Sequence, residues 1–355
     1  MHERSSLEED VLSFIKKFSD RTFNEEVFNS LALRLFRFQR ANNIFYRRLC
    51  GIAGVSAAQV RSWRDIPAMP TAAFKELILT SFTRRETVRV FRTSGTTLRE
   101  KSGAHYFRSL RLYEASIVPA FAANLLPDHA ALSYFFLMNP PTAAPGSSLS
   151  HMMGVVNRRF AGGKGRYYVR RGIPRFEELS RDLKKERGKV LLLSTAFALK
   201  GFLGYLKEKK IVFRLAAGSR IMETGGFKGR TKEISKKVLY QECGQRLGIP
   251  QKFCVSEYGM TELSSQYYAR ALGAFHGPPW IRAVVADPKT NKASPSSRAG
   301  VLRHVDLANL GSVIAVQSED LGRVSGSGFE FQGRAPGSAL RGCSLDYETL
   351  LRSGA

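Results

Sequence analysis

The chain has 355 residues, of which 55 are Lys or Arg and 30 are Asp or Glu, so its formal net charge is +25 at pH 7. This length is sufficient for one large or two modest domains, and a hydrophobic content of 43% is typical of globular proteins. The first ten residues are acidic and lack the apolar core of a signal peptide, and the apolar stretch 190–199 is too short to span a bilayer, so we expect a cytoplasmic protein.

Apolar runs and helical segments alternate along the chain. Ser6 and Glu9 form a capping-box pattern that predicts a helix to about Phe18, and Asn24 is expected to cap a longer helix that ends near Gly51. Strands are predicted at 88–91, 132–138, 190–193, 212–216 and 252–255, and helices at 104–126 and from 194 to about 209. This alternation predicts an α/β fold with largely parallel sheets flanked by helices.

Beyond about residue 280, glycine and short β-like runs such as 301–305 and 313–316 become more frequent, which predicts a β-rich C-terminal lobe. We therefore expect three regions along the chain. They are a helical N-terminal region at 1–90, an α/β nucleotide-binding core at 91–280, and a β-rich lobe with a short C-terminal tail at 281–355.

The first candidate site is a loop of small hydroxyl residues and glycine that follows the strand predicted at 88–91. Hydroxyls and exposed backbone N–H groups can wrap a polyphosphate, and a lysine adds a point charge. A Walker A loop is excluded because Glu100 stands where its second glycine is required. An ordinary Ser/Thr/Gly loop is the alternative. The candidate phosphate-binding residues are Thr93, Ser94, Gly95, Thr96, Thr97 and Lys101.

A second segment, 257–263, indicates which kind of phosphate-binding loop this is. Together the two segments resemble the phosphate loop and the Tyr-Gly-x-Thr-Glu motif of the adenylate-forming enzymes, except that Leu98 replaces a glycine of the loop. The resemblance implies that Tyr258 and Gly259 lie at the adenine, that Thr261 meets the α-phosphate, and that Glu262 holds Mg²⁺. Such a site joins a carboxylate to a phosphate, which requires a cation and hydrogen-bond donors where negative charge develops.

Shorter segments match the same superfamily in the same order. Gly225 and Gly226 resemble the turn against the adenine, and Asp320 resembles the aspartate that binds the ribose hydroxyls. Arg334 resembles the hinge arginine. His151 and Gly154 resemble the segment beside the acyl pocket; a lone histidine at the start of an apolar stretch can equally be structural.

A narrower family resemblance covers residues from about 23 to about 345. Segments 36–39, 63–75, 306–309 and 341–344 are similar to the LuxE-like acyl-protein synthetases. The resemblance implies an adenylate-forming N-terminal-type fold and ATP- and Mg²⁺-dependent activation of a fatty acid or other carboxylate. It also implies acyltransferase and reductase proteins as partners. Only 21 residues follow Arg334 in the sequence of 355, so we expect the usual C-terminal lysine-bearing domain to be lacking, with Lys101 or Arg334 in place of its lysine.

The same resemblance implies that the acyl group passes to a cysteine near the C-terminus. Cys50, Cys243, Cys254 and Cys343 show no Cys-x-x-Cys spacing, which argues against zinc and against a disulfide framework. Cys343 lies two residues after Arg341, whose charge would favour the nucleophilic thiolate. We therefore expect Lys101, Thr261, Glu262 and Cys343 to be the catalytic residues.

Two other functions use the same residues. A ligase could deliver its adenylate to coenzyme A, a carrier protein or an amine, in which case Cys343 is dispensable. A non-catalytic protein on this fold could bind a nucleotide or an anionic surface, as Leu98 and the expected lack of the lysine-bearing domain suggest. Much of the positive charge lies between Arg158 and Lys237. An anionic membrane surface or an acidic partner fits this charge better than nucleic acid, because no nucleic-acid-binding motif accompanies it.

Overall fold

The structure is a computed structural model that describes residues 2–19, 23–93, 101–225, 235–287, 298–335 and 349–350. Within these ranges, no helix is both long enough and apolar enough to cross a membrane. Several residues singled out from the sequence lie outside the described residues, and their assignments stay predictions. They are Ser94, Gly95, Thr96, Thr97, Leu98, Gly226, Arg341 and Cys343.

Helices and strands alternate through most of the described chain. The helices are α1 His2–Lys17, α2 Glu25–Asn42, α3 Ile44–Ile52, α4 Ala73–Glu76, α5 Arg111–Leu125, α6 Ser148–Phe160, α7 Phe176–Lys185, α8 Ala196–Glu208 and α9 Lys236–Leu247. The strands of the first half are β1 Met69–Pro70, β2 Arg89–Arg92, β3 Ala104–Phe107, β4 Ser133–Leu137, β5 Arg166–Tyr167, β6 Val169–Arg170 and β7 Ile173–Pro174. Those of the second half are β8 Val190–Thr195, β9 Arg220–Thr224, β10 Cys254–Tyr258, β11 Tyr267–Arg270, β12 Phe275–His276, β13 Ile281–Ala286, β14 Gly300–Asp306, β15 Ala315–Ser325 and β16 Gly328–Arg334.

The chain divides into two compact units. Unit 1 comprises Met1–Ser116, Met260–Gln266 and His276–Ala355, and unit 2 comprises Ile117–Gly259 and Tyr267–Phe275. The chain therefore passes from unit 2 into unit 1 within the motif 258–262, between Gly259 and Met260. The division into regions 1–90, 91–280 and 281–355 stays a prediction about domains.

Unit 2 is an α/β layer structure. Its sheet has the order β11-β10-β9-β8-β4-β5, in which β11 is antiparallel to β10 and the other neighbours are parallel. Strand β8 reads Val-Leu-Leu-Leu-Ser-Thr and is buried along five of its six residues, as expected for a parallel strand covered by helices. Helices α7, α8 and α9 pack their leucines on this sheet, around residues such as Leu192, Leu203 and Leu239.

Unit 1 combines N-terminal helices with an antiparallel sheet. Strands β13, β14, β15 and β16 pair antiparallel in this order, and β1 pairs parallel to β15. Strands β2 and β3 form a separate two-stranded sheet. The side chain of Asn24 accepts a hydrogen bond from the N–H of Val27, which confirms the predicted N-cap of α2. The β-rich C-terminal region that the sequence predicted is also confirmed.

Four local predictions were wrong. The single helix predicted from Asn24 to near Gly51 is two helices, α2 and α3, because Asn43 is extended and its side chain caps α3. Helix α1 begins at His2, so Ser6 and Glu9 lie inside it and do not start it. The helix predicted at 104–126 begins only at Arg111, because Ala104–Phe107 pair with β2. Residues 212–216 form no strand; their side chains Phe213 and Leu215 instead pack beside α9, and the strand of this region is β9.

Candidate active site

The ends of the predicted phosphate loop are fastened together in unit 1. The N–H of Thr93 donates to the carbonyl of Gly103 at 2.9 Å, and the N–H of Gly103 donates back to the Thr93 hydroxyl at 2.8 Å. The hydroxyl of Ser102 donates to the Thr93 carbonyl at 2.6 Å. An added Cβ at Gly103 would lie 3.2 Å from the Thr93 methyl group, so glycine allows this close approach. The two residues that flank the predicted loop in the described chain, Thr93 and Gly103, are therefore held together by hydrogen bonds.

Lys101 lies just before Gly103 and pairs with helix α4. Its ammonium group is 2.6 Å from the carboxylate of Glu76, and about two thirds of its side chain is exposed. Exposed ion pairs of this kind contribute little to stability, so a phosphate group can compete for the lysine at low cost. Lys101 thus lies beside the residues that flank the predicted phosphate loop, and its phosphate-binding role stays a prediction.

The Thr261–Glu262 segment is attached to the same hairpin. His105 of β3 is buried, and burial lowers its pKa to about 4, so the imidazole is neutral at pH 7. Its Nδ1–H donates to the carbonyl of Thr261 at 2.8 Å, and its ring packs edge-on against Phe74 of α4. The Thr261 hydroxyl lies 3.5 Å from the carbonyl of Arg92 on β2. Unit 1 therefore brings together the phosphate-loop stem, Lys101 and Thr261.

Glu262 is a buried carboxyl, with 6% of the residue exposed. Burial raises its pKa to about 7 and the charge of Glu319 adds to this shift, whereas Lys75 and Arg334 oppose it. A hard divalent cation prefers carboxylate oxygen and would displace the proton from such a group. The position and chemistry of Glu262 thus fit the Mg²⁺ role that the sequence predicted. Within the described residues, no group of three or more His, Cys, Asp or Glu could form a larger metal cluster.

A buried polar network holds the backbone that follows Glu262. The carboxylate of Asp306 accepts hydrogen bonds from the N–H groups of Ser264 and Ser265, both at 2.8 Å, and from the Ser265 hydroxyl at 2.7 Å. The amide of Asn309 donates to the carbonyl of Glu262 at 2.8 Å, and its Oδ1 accepts from the Ser264 hydroxyl at 2.6 Å. These bonds fix the main chain on which Glu262 stands.

Residue Gln39 of α2 completes this network from the N-terminal part of the chain. Its side-chain amide donates to the carbonyl of Asn309 at 2.8 Å and accepts from the N–H of Ile314 at 2.7 Å. Gln39, Asp306 and Asn309 belong to segments that carried the family resemblance, but no role was predicted for them. The structure assigns all three to the support of the Thr261–Glu262 segment.

Asp320 and Arg334 face each other across β15 and β16. The register pairs the two residues, and the guanidinium lies 3.5 Å from the carboxylate. Asp320 is largely buried, whereas 73% of the Arg334 side chain is exposed. A buried carboxylate can accept hydrogen bonds in one fixed geometry, whereas an exposed guanidinium can change its position. The ribose role of Asp320 and the hinge role of Arg334 stay predictions.

In unit 2, two of the predicted adenine-binding residues, Gly225 and Tyr258, lie at the carboxyl ends of the adjacent strands β9 and β10. The register pairs Thr224 of β9 with Glu257 of β10, and the Thr224 hydroxyl donates to the Glu257 carboxylate. Gly225 follows with φ +74°, in the left-handed region that favours glycine. Half-buried Tyr258 has its ring centroid 5.6 Å from that of Phe275. In parallel α/β sheets this edge is where ligands usually bind.

Buried charges lie directly behind this edge. The carboxylate of Glu223 is fully buried and accepts from the Lys236 ammonium at 2.8 Å and from the Tyr240 hydroxyl at 2.9 Å. Lys236 also donates to the hydroxyl of Ser256 and lies 5.2 Å from the ring centroid of Phe275. Because Phe275 also contacts Tyr258, this network packs behind the ring that is predicted to lie at the adenine.

Glu257 itself is buried, and burial raises its pKa to about 7. The charge of Glu223 acts in the same direction, and the Thr224 hydrogen bond and Lys236 oppose it. Sequence reasoning missed the roles of Glu223, Lys236 and Glu257. The detectable signal was a charged residue at the end of each of two buried strands, where an apolar residue is the norm.

The residues predicted to border the acyl pocket lie on α6. His151 is half-buried, and Gly154 is buried one turn further along the helix. An added Cβ at Gly154 would lie 2.6 Å from Cγ of Pro141, so the glycine lets α6 approach the 139–147 segment closely. Close packing accounts for Gly154, and the acyl-pocket role of both residues stays a prediction.

The cysteines of the described chain are poor nucleophiles. Cys50, Cys243 and Cys254 are free thiols and all three are buried. Burial raises the pKa of Cys50 to about 11, and the hydrogen bond with Cys254, together with burial, raises that of Cys243 well above its usual range. Thiolate is the reactive form, so these thiols are kept unreactive.

Comparison with known proteins gives one family throughout. The family model described as acyl-protein synthetase, LuxE, matches residues 172–351, half of the chain. The long-chain-fatty-acid–luciferin-component ligase of Aliivibrio fischeri is 22% identical over 368 residues, covering 98% of this chain and 95% of that protein. The Vibrio harveyi protein of the same name is 21% identical over 324 residues, covering 87% and 84%.

Solved structures agree on the fold. An open conformation of 2-hydroxyisobutyryl-CoA ligase, in complex with 2-HIB-AMP and CoA, has a TM-score of 0.66 at 13% identity, covering 87% of this chain and 74% of that one. ATP-bound MatB from Rhodopseudomonas palustris has a TM-score of 0.50 at 14% identity, covering 78% and 52%. Both are adenylate-forming ligases, so the α/β fold of this type that the sequence predicted is confirmed.

Proposed function

Because the chain belongs to the LuxE family of acyl-protein synthetases, we propose that it activates a fatty acid with ATP and transfers the acyl group to its own Cys343. The chain is an AMP-forming ligase. The observation that carries the proposal is the hydrogen bond from His105 to Thr261, which fastens the Thr261–Glu262 segment to the hairpin that bears the phosphate loop. Acyltransferase and reductase proteins are proposed as partners.

The reaction proceeds in two displacements. In the first, a carboxylate oxygen of the fatty acid attacks the α-phosphorus of ATP, and pyrophosphate leaves with the electrons of the broken P–O bond. Lys101 binds the phosphates and Thr261 donates to the α-phosphate as charge develops there. In the second, the Cys343 thiolate attacks the acyl carbon and AMP leaves. Splitting one difficult condensation into two easier steps is the usual gain from covalent catalysis.

Glu262 is proposed to hold Mg²⁺, which when bound neutralises negative charge on the phosphates. Gly225, Gly226, Tyr258, Gly259 and Asp320 are proposed to bind adenosine. Thr93, Ser94, Gly95, Thr96 and Thr97 are proposed to bind the phosphates, and His151 and Gly154 to border the acyl pocket. Cys343 is favoured as acceptor because Cys50, Cys243 and Cys254 are buried.

Exchange of labelled pyrophosphate into ATP, dependent on a series of fatty acids, tests the first step. Lys101→Ala should lower the exchange rate or the ATP affinity about ten- to a hundredfold, which corresponds to one charge-assisted contact. Lys16→Ala, an exposed lysine of α1, is the matched control and should behave like the parent. Wild-type protein that exchanges pyrophosphate with no fatty acid of the series would disprove the proposed substrate class.

Acyl labelling tests the second step separately. Incubation with ATP and radiolabelled fatty acid should leave a hydroxylamine-labile label on the wild type. Cys343→Ser should lose this label and keep pyrophosphate exchange, whereas Cys50→Ala should keep both. Release of the acyl group to coenzyme A by unlabelled wild-type protein would identify a CoA ligase instead.

A further inference from the structure

The amino-terminal edge of the unit 2 sheet lies opposite the predicted adenine-binding residues. Strands β4, β8, β9 and β10 are parallel, so all of them start at this edge. Helices α7, α8 and α9 run back to it before β8, β9 and β10 respectively. A strand of five or six residues spans roughly 15–20 Å. The amino edge and the Tyr258 edge are therefore two separate surfaces of unit 2.

Two segments of the amino edge are strongly basic. Segment 184–189 carries four cations and one carboxylate, and segment 207–214 also carries four cations and one carboxylate. All eight cations are exposed. We call these two segments together the basic edge; its formal net charge is +6 within fourteen residues.

The two segments are fixed at the same edge by the sheet. An added Cβ at Gly218 would lie 3.4 Å from Cδ of Lys189, so this lysine lies over the turn that enters β9. The N–H of Val190 donates to the hydroxyl of Ser219 at 2.9 Å. On the other side, the N–H of Phe213 donates to the carbonyl of Arg246, at the end of α9, at 2.8 Å.

Carboxylates neutralise only a small part of this charge: within the two segments, Glu208 lies 3.7 Å from the ammonium of Lys209. Glu186 accepts hydrogen bonds from the N–H groups of Arg187 and Gly188 and pairs with Arg166 outside the segment. Asp128 pairs with Arg220 at 2.7 Å. Cations in the last turn of a helix are partly explained by the helix dipole, which accounts for Lys184, Lys185 and Lys207. Arg214 likewise donates to the carbonyl of Gln245 in the last turn of α9 at 3.3 Å. Arg187 and Lys189 lie beyond the helices, where that explanation does not apply.

An exposed apolar side chain stands among these cations. Val212 is 48% exposed, and its neighbours Ile211 and Phe213 pack on the core. Lys210 precedes this turn with φ +55°. An apolar side chain surrounded by cations suits the headgroup layer of an anionic bilayer. Single-stranded nucleic acid would instead require exposed aromatic rings, and Phe213 and Phe253 both pack against the core.

We propose that the basic edge docks unit 2 onto an anionic phospholipid surface, with its cations at the headgroups and Val212 in the headgroup layer. Lipid recognition of this kind needs charge density on one edge and no shaped pocket, which is what the two segments provide. The Tyr258 edge then lies on the side of the unit 2 sheet that faces away from the bilayer. The proposal is independent of the ligase reaction and of its substrate.

Co-sedimentation of the full chain with vesicles tests this docking. The protein should bind phosphatidylserine-containing vesicles and not pure phosphatidylcholine vesicles, and binding should weaken steeply with salt. The variant Lys184→Gln/Lys185→Gln/Arg187→Gln/Lys189→Gln should bind at least about tenfold more weakly, since each cation near an anionic surface contributes severalfold to the affinity. Lys207→Gln/Lys209→Gln/Lys210→Gln should have a similar effect, which guards against misfolding of one variant.

A control variant removes the same charge elsewhere. Arg37→Gln/Arg61→Gln/Arg84→Gln/Arg85→Gln takes four exposed cations from unit 1 and should keep vesicle binding. Equal loss in this control would mean that net charge alone drives binding and would overturn the proposal. Wild-type protein that ignores phosphatidylserine, or that binds duplex DNA more tightly at the same salt through the same lysines, would also overturn it.

A tryptophan substitution at Val212 tests whether this residue contacts the bilayer. Trp63 and Trp280 are buried in unit 1, so Val212→Trp adds an exposed tryptophan at the basic edge. Its fluorescence should shift to the blue on phosphatidylserine vesicles and should be quenched by brominated lipid. An unchanged spectrum with bound vesicles would remove Val212 from the contact and contradict the proposed orientation.

Discussion

Two buried networks support the two halves of the 258–262 motif, and they use different chemistry. In unit 1, Asp306 holds the main chain after Glu262 by accepting hydrogen bonds from backbone N–H groups and a serine hydroxyl. In unit 2, Glu223 is held by the ammonium of Lys236 behind Tyr258. Backbone hydrogen bonds fix a main-chain conformation, whereas an ion pair ties a strand to a helix through two side chains. The first network is expected to tolerate conservative change, and the second to depend on both partners.

The largest effect is expected in the unit 1 network. Asp306→Ala leaves three buried N–H groups without their acceptor, those of Ser264, Ser265 and Ala308. At about 1–3 kcal/mol for each unsatisfied group, partly relieved by relaxation, the free energy of unfolding should fall by about 3–5 kcal/mol. Chemical denaturation measures it. Asp306→Asn keeps an acceptor oxygen, so its free energy of unfolding should fall much less. Equal decreases in the two variants would show that the negative charge, rather than the hydrogen bonds, matters.

Breaking the ion pair of unit 2 is expected to cost about 3 kcal/mol, because Lys236→Met leaves the fully buried Glu223 carboxylate without its cation. The double variant Glu223→Gln/Lys236→Met removes both charges and should regain a large part of this loss. A double-mutant cycle by thermal or chemical unfolding measures the coupling. If the double variant is as unstable as the sum of the single ones, the pair is not coupled and the contrast between the two networks fails.

The sequence was sufficient for the fold and for the order of the motifs, since both depend on local patterns. Buried strands read as apolar runs, and the 258–262 motif is contiguous. The supporting networks depend on long-range register instead. Gln39 meets Ile314 across 275 positions, and Glu223 meets Lys236 only because β9 and α9 pack side by side. Strand β3 was missed for the same reason: its pairing with β2 overrides the local helical pattern.

Both units contain a buried glutamate that titrates near neutral pH, and this allows a direct comparison. The pKa of Glu257 is raised from 4.5 to about 7, mainly by burial. The folded state therefore holds its proton more tightly than the unfolded state. The resulting stability is complete below pH 4.5 and is lost as the pH rises through 7. The free energy of unfolding should decrease from pH 5 to pH 8, by on the order of 1–3 kcal/mol for each such group.

Glu257→Gln in unit 2 should reduce the pH dependence of the free energy of unfolding. Glu262→Gln in unit 1 should have the same effect, because burial also raises the pKa of Glu262 to about 7. Denaturation at several pH values measures both. Mg²⁺ with ATP should restore stability at pH 8 in the parent and not in Glu262→Gln. A pH dependence that neither substitution alters would place the titrating group elsewhere.

The smallest effect is expected at Gly225, where unit 2 turns after Thr224. The residue has φ +74°, and an added Cβ would meet no atom of the described residues within 4 Å, so Gly225→Ala tests mainly the backbone conformation. A left-handed alanine should cost about 1 kcal/mol, and Gly225→Asn less, because asparagine adopts this conformation more readily. Gly248 is the matched control. It has a similar φ of +72°, but an added Cβ would lie 3.3 Å from Cα of Arg214, so Gly248→Ala should cost more. If Gly225→Ala is instead the more destabilising of the two, then the left-handed backbone conformation alone does not account for the glycine at the turn that carries the predicted adenine contact.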